Sequence, residues 1–263
     1  MKYVKLYFTY AKSSLMSDLV YSANAIIGLI AFLLMETASL FTLFILVSAV
    51  PSIDGYSIWQ IGFLFGMTNL AVGLDHLFTD RLWDVAYYEV KQGKLDHVFL
   101  RPVPILFQIL ASRVQLEALG ELIVAIALMI FCGARITFAA GIGGVLLALL
   151  GVIAAAIIIS SFKIFVASLA FKFKRSGPLL QFIYGFTGYI KYPLRIYPKF
   201  IQGLLTFVIP LGLCVFYPFE NLFAPIPRPW LVALAIIGAT ALFATICISI
   251  WNALAKRYES TGS

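Results

Sequence analysis

The chain has 263 residues, of which 62% are hydrophobic and only 12% charged, with a mean hydropathy of +0.99; a soluble domain carries about 25% charged residues. That balance excludes a soluble globular domain and predicts an integral membrane protein. The formal charge of +7, which in a soluble protein would point to nucleic acid, is here weighed first against membrane orientation.

Apolar segments recur from about residue 22 to residue 252 without a linker, a low-complexity tract or an internal repeat. Residues 1–263 therefore read as one transmembrane domain. The opening MKYVKLYFTYAKSSLMSDL spreads its lysines along its length instead of placing them before an apolar centre, so no cleaved signal peptide is expected. At 100° per residue, Lys2, Lys5, Thr9 and Lys12 fall opposite Val4, Phe8, Ala11 and Leu15. This pattern predicts an interfacial helix over 2–18, its basic face toward lipid headgroups, in preference to a frayed tail.

A spanning helix needs roughly 20 apolar residues. Six candidates follow, at about 22–50, 57–78, 114–132, 142–171, 200–217 and 229–252, giving an all-α, six-span fold with both termini on one side. If that side is cytoplasmic, Arg135 and Arg228 are the only basic residues outside and Lys163 lies within a span, while the remaining lysines and arginines fall inside. The positive-inside rule then accounts for the net charge, and no nucleic-acid partner is expected. The segment 178–199 is the least regular. Its apolar stretch before Lys191 is short for a span, and it reads as an interfacial or re-entrant helix on the cytoplasmic side. The rival arrangement spans at 178–192 and re-enters afterwards, which moves Lys191, Arg195 and Lys199 outside.

Between the second and third spans, residues 79–112 form a connection far longer than the two to eight residues that join neighbouring helices. Within RLWDVAYYEVKQG, Arg81, Asp84, Tyr88 and Lys91 share one helical face and Trp83, Ala86, Tyr87 and Val90 the other. Gly93 stands where a helix stop favours a left-handed residue. Beyond KLDHVFL, Arg101 precedes Pro102, and Pro104 suits the first turn of the helix that leads into span three. A stiff cytoplasmic projection is expected.

Two stretches, GKLDHVFLRPVPILF after span two and YPLRIYPKFIQGLLTFVIPLGLCVFYPFENLF near the end, resemble the permease subunits of ABC-2-type exporters, specifically a largely uncharacterised six-span bacterial subfamily. The resemblance covers most of the chain and implies an interfacial N-terminal helix, a coupling helix in the connection 79–112, and a permease dimer driven by two separate ABC ATPase subunits. It also implies a bacterial inner-membrane location and export, with a heterodimer of permeases favoured over a homodimer. Arg81, Trp83, Asp84, Tyr88, Lys91, Asp96 and Arg101 are the candidates for contact with the ATPase or for stiffening the projection. No GxxxxGK[ST] phosphate loop occurs, since the one Gly-Lys pair, Gly93-Lys94, is followed by Leu95. The chain is therefore expected to bind no cofactor, with ATP and magnesium on the partner ATPase.

Among the charges inside predicted spans, Glu36, Glu121 and Lys163 are singled out. Glu36, near the middle of span one, costs about 2.5–3.5 kcal/mol on insertion scales and is expected to face protein, water or substrate. Lys163 sits eight residues from Phe171, about 12 Å, so it either snorkels to the headgroups or pairs with Glu121 or Glu36. Asp75, Asp80 and Asp84 include a DxxxD spacing, but without further upstream aspartates they read as solvated helix-end carboxylates rather than a metal site. His76 and His97 lack ligand-spaced partners, no hydrolase motif occurs, and the three cysteines read as packing residues. A lipid-modifying enzyme is thus the weaker alternative. A stand-alone secondary transporter is also weaker, since such carriers commonly show inverted repeats. Neither composition nor motifs name a substrate.

Overall fold

The computed structural model describes residues 2–20, 22–48 and 52–259, which fold as helices joined by short turns, with no strand among them beyond one isolated bridge between Ile53 and Tyr56. Helix α1 covers Lys2–Val20 and α2 covers Ser22–Ser48; residues 49 and 50, the expected end of span one, lie outside the described residues. Helix α3, Ile58–Thr79, begins at a capping box in which the Ser57 hydroxyl accepts from the Gln60 amide and the Gln60 side chain accepts from the Ser57 amide, satisfying two otherwise orphaned donors. Helices α7 (Ala118–Gly133), α8 (Gly141–Phe173) and α12 (Pro229–Ala255) complete the long elements. Among the described residues, four helices are long and apolar enough to cross a membrane, namely α2, α3, α8 and α12. Helix α7, at 16 residues, is shorter than the expected run 114–132 because residues 114–117 form a turn.

The main core lies where α3, α8 and α11 (Leu211–Phe223) meet, around Leu64, Met67, Val152, Ile158, Cys214 and Phe219. Without a hydrophobic driving force between helices in lipid, close backbone approach supplies the attraction, and small residues permit it. Gly151 of α8 is the clearest case, since a Cβ built there runs into the Cys214 carbonyl and the Pro218 ring of α11. Cys132, Cys214 and Cys247 are buried free thiols.

The region 177–223 differs from the expectation. Helix α9 (Gly177–Tyr184) continues as a 3-10 helix, Gly185–Lys191. Its start lies at the end of the bundle that carries the 79–112 connection, where Ser176 N–H donates to Ala86 C=O at 2.9 Å. Its finish lies at the opposite end, where Tyr192 joins Leu40, Ile53 and Tyr56 around the buried cluster of Leu43, Ile61 and Phe65. The reason is geometric: a 3-10 helix rises about 2.0 Å per residue against about 1.5 Å in an α-helix, so fifteen residues cover about 26 Å. Residues 178–199 therefore do not stay at the end carrying the connection. The expected continuous span at 200–217 is also absent. Lys199–Val208 and Leu211–Phe223 are two helices bent by 102° at Ile209–Pro210, with proline removing a backbone donor at the break.

Replacing Gly151 with leucine should lower the melting temperature of the detergent-solubilised protein, overpacking costing about 1–3 kcal/mol. The same change at Gly143, which faces open space on the same helix, should leave it unchanged.

Candidate functional site

The connection 79–112 folds onto the ends of α8 and α12 rather than standing free. It starts with α4 (Arg81–Asp84), continues through a π-helical turn, Val85–Glu89, and adds α5 (Asp96–Phe99) and α6 (Ile105–Ala111). Leu82, Val85, Ala86, Val90, Leu95, Val98 and Ile109 form a core with Ile164, Ala167 and Phe171 of α8 and Trp251 of α12. Each such fully buried aliphatic side chain contributes about 1.5–3 kcal/mol relative to exposure. The π-turn adds a residue to the helix and places Leu82, Ala86 and Val90 inside, leaving Trp83 and Tyr87 half-buried. Gly93, at φ +66°, makes the reversal expected of it.

The nominated residues mostly brace this unit internally. Arg81 pairs with Glu89 at 3.3 Å and donates to Ser112. Asp84 accepts from Tyr88 and from Arg113, the latter at 3.0 Å. Trp83 packs edge-on to Tyr184, Asp96 accepts from Tyr258 at 2.7 Å, and Arg101 donates to the Tyr10 hydroxyl of α1 at 3.0 Å. Lys91 is exposed. Helix α6 ends at Ala111 and does not run into α7, so Pro104 starts a separate helix of the connection. The tip is the apolar Leu100, 85% exposed, between exposed His97 and Arg101.

Beneath the connection lies a buried ionic cluster. Lys163 of α8 is fully buried and does not snorkel; its ammonium lies 2.7 Å from Asp75 and 3.2 Å from Asp80. Neither Glu121 nor Glu36 is its partner. Asp75 is likewise fully buried rather than solvated, and it also accepts from Thr79 at 2.6 Å and Ser160 at 2.8 Å. The cation further faces the rings of Tyr184 and Trp83 at 5.2 and 5.8 Å. Glu121 instead meets His76 Nδ1 at 2.8 Å, His76 Nε2 meets the Tyr184 hydroxyl at 2.8 Å, and that hydroxyl reaches Asp75 at 3.4 Å. Glu36 faces α3 and accepts from Asn69. Among the described residues no cluster has the make-up of a metal site.

The relay has two hydrogen-bond patterns. With neutral His76 protonated on Nδ1, the ring donates to Glu121 and accepts the Tyr184 proton. With His76 doubly protonated, it donates to both neighbours and Tyr184 turns its proton toward Asp75. Such an arrangement can pass a proton or reorient a dipole along Glu121, His76, Tyr184 and Asp75. Sequence reasoning missed Asp75, His76 and Tyr184 as members. The available signal was the spacing of Thr68, Asp75 and Thr79, which places three polar residues along one face of an apolar helix.

Removing one partner of a buried ion pair leaves an uncompensated charge, at a cost of about 3–5 kcal/mol. Lys163→Met should therefore lower the melting temperature sharply, and adding Asp75→Asn should restore much of the loss, as measured by thermal unfolding in detergent. In the connection, burial raises the Glu89 carboxyl above its ordinary value, partly offset by Arg81. A raised value means that this stabilisation is full below the unfolded carboxylate range and is lost as pH rises through the folded one. The protection of amides 85–112, relative to their intrinsic exchange rates, should accordingly fall from mildly acidic to neutral pH, and Glu89→Gln should flatten that dependence.

No curated protein matches the chain. A family model described as ABC-2 family transporter protein matches residues 33–262, a range that takes in the connection, the ionic cluster and the bent pair of helices. The chain is thus a multi-pass membrane protein that belongs to the ABC-2 transporter family, as a membrane-embedded transport subunit of an ABC transporter.

Proposed function

We propose that this chain is one permease of an ATP-driven exporter in a bacterial inner membrane, forming its substrate path with a second, different permease and taking its energy from ABC ATPase subunits that bind ATP and magnesium. The observation that carries this reading is the connection 81–111. It is fastened to α8 and α12 through a shared core and has the ionic cluster at its base, so a push on it is transmitted to the spans. Coupling requires that the motor's states contact this unit differently. Most nominated residues stiffen it, and the apolar tip at Leu100 with its neighbours His97, Arg101 and Lys94 is the surface offered to the motor.

Six spans follow if α2, α3, α7, α8, the segment Gly177–Lys191 and α12 each cross the bilayer, with the bent pair Lys199–Val208 and Leu211–Phe223 dipping in and returning on the far side. Lys191, Arg195 and Lys199 then join Arg135 and Arg228 outside. Arg195 is neutralised there by Glu220, and the inside retains the basic excess. Both termini are cytoplasmic. Helix α1 lies along the interface with Lys5 and Lys12 exposed, held to the connection by Tyr3–Phe107 packing and to the turn before α7 by the Val114 N–H, which donates to the Ser14 hydroxyl.

In the assembled transporter, Leu100→Asp should lower transport-coupled ATP hydrolysis on the order of tenfold without changing the amount of chain in the membrane. Wild-type coupling in that variant, or transport by the isolated chain without an ATPase, contradicts the proposal.

A further inference from the structure

At the end of the bundle opposite the connection, α3, α7, α8 and α11 leave an open groove of about 330 Å³. Its walls are apolar throughout, including Phe63 and Met67 of α3, Met129 of α7, Phe138, and Leu149 and Val152 of α8. From Val145 to Val152 it follows α8 for about 10 Å. In a bilayer such a groove gains nothing from hydrophobic transfer, since lipid tails are as apolar as its walls. An unfilled groove does forfeit dispersion contacts, so a hydrocarbon chain fits it and water does not.

A cation lies in the turn between two of its lining residues, Gly133 and Phe138. Arg135 follows Gly133, which lines the groove, by two residues. Its guanidinium lies over the rings of Phe131 and Trp59, 3.8 and 4.7 Å from their centres. One of its N–H groups donates to the Phe131 carbonyl at 2.9 Å. Among the described residues no carboxylate pairs with it. Stacking fixes the planar group in orientation and leaves donors for a phosphate.

We propose that this groove is a site for a resident anionic phospholipid of the outer leaflet, one acyl chain lying between α3, α7 and α8 and the phosphate held by Arg135. The charge supplies the selectivity, because the apolar walls do not distinguish one lipid from another. The site is independent of the motor coupling; only its assignment to the outer leaflet rests on the proposed orientation.

Native mass spectrometry of the full chain, released from detergent containing equal phosphatidylglycerol and phosphatidylcholine, tests the assignment. Wild type should retain phosphatidylglycerol over phosphatidylcholine, whose choline cation offsets the phosphate charge beside Arg135, by about tenfold. Arg135→Gln should bring that ratio close to one. Val145→Trp, at the half-exposed rim of the groove, should lower retention of both lipids, whereas Ile142→Trp, exposed on the same helix outside the groove, should behave as wild type. Equal retention by wild type, an unchanged preference in Arg135→Gln, or undiminished retention in Val145→Trp overturns the proposal.

Discussion

A lysine with no exposed surface, placed inside an apolar helical body, dictates much of this architecture. An ammonium ion cannot remain in such a place without compensating charge, and Lys163 is compensated by two carboxylates that both belong to the far end of α3 and the turn after it. That requirement fixes the rotation of α8 against α3, holds the first turns of the connection against the bundle, and draws Tyr184 and Trp83 in as aromatic walls. The second acid of the same region, Glu121, is answered separately by His76. Opposite charges are thus distributed over three helices, α3, α7 and α8, none of which completes the cluster alone.

Around this centre, the two ends of the molecule differ in physical character. The end bearing the connection combines an aliphatic core with a shell of ion pairs and tyrosine hydrogen bonds. Its exposed pair, Asp84–Arg113, adds little stability, whereas the buried aliphatics add most. The opposite end is built from aromatic contacts, with Tyr56 against Phe216, Phe219 and Phe223, and from the bent helices that wedge Ile209 and Leu211 into the core. An end braced by ion pairs beside one built on bent helices suits a subunit that receives motion at one side and rearranges at the other.

Much of this was legible in the amino-acid order. Apolar length located α2, α3, α8 and α12. The excess length of residues 79–112, the phase of Trp83 to Val90 and the glycine at 93 announced a compact, stopped helix. What was not legible has two physical causes. Judged by α-helical rise, the apolar stretch of 178–199 before Lys191 sets the rival span at 178–192 below a re-entrant helix, because so short a run traverses the body only when part of it adopts the longer 3-10 rise. Lys163 was judged by its distance from the helix end, which sets how far it can snorkel but is silent about Asp75 and Asp80, eighty-odd residues away in sequence and adjacent only after α3 and α8 pack. Interior ion pairing is a tertiary property, and local periodicity carries it only as a faint polar stripe on α3.

The central claim is that the connection and α8 move as one piece. Spin labels at Gln92→Cys and Ile142→Cys, both exposed positions, report on it in the assembled transporter with and without bound nucleotide. The account predicts that this intrachain distance stays within ~2 Å, the scale of small helix shifts, while the separation between the connections of the two permeases changes. An intrachain change of about 5 Å, one helical turn, would show that the connection slides over α8, and would contradict it.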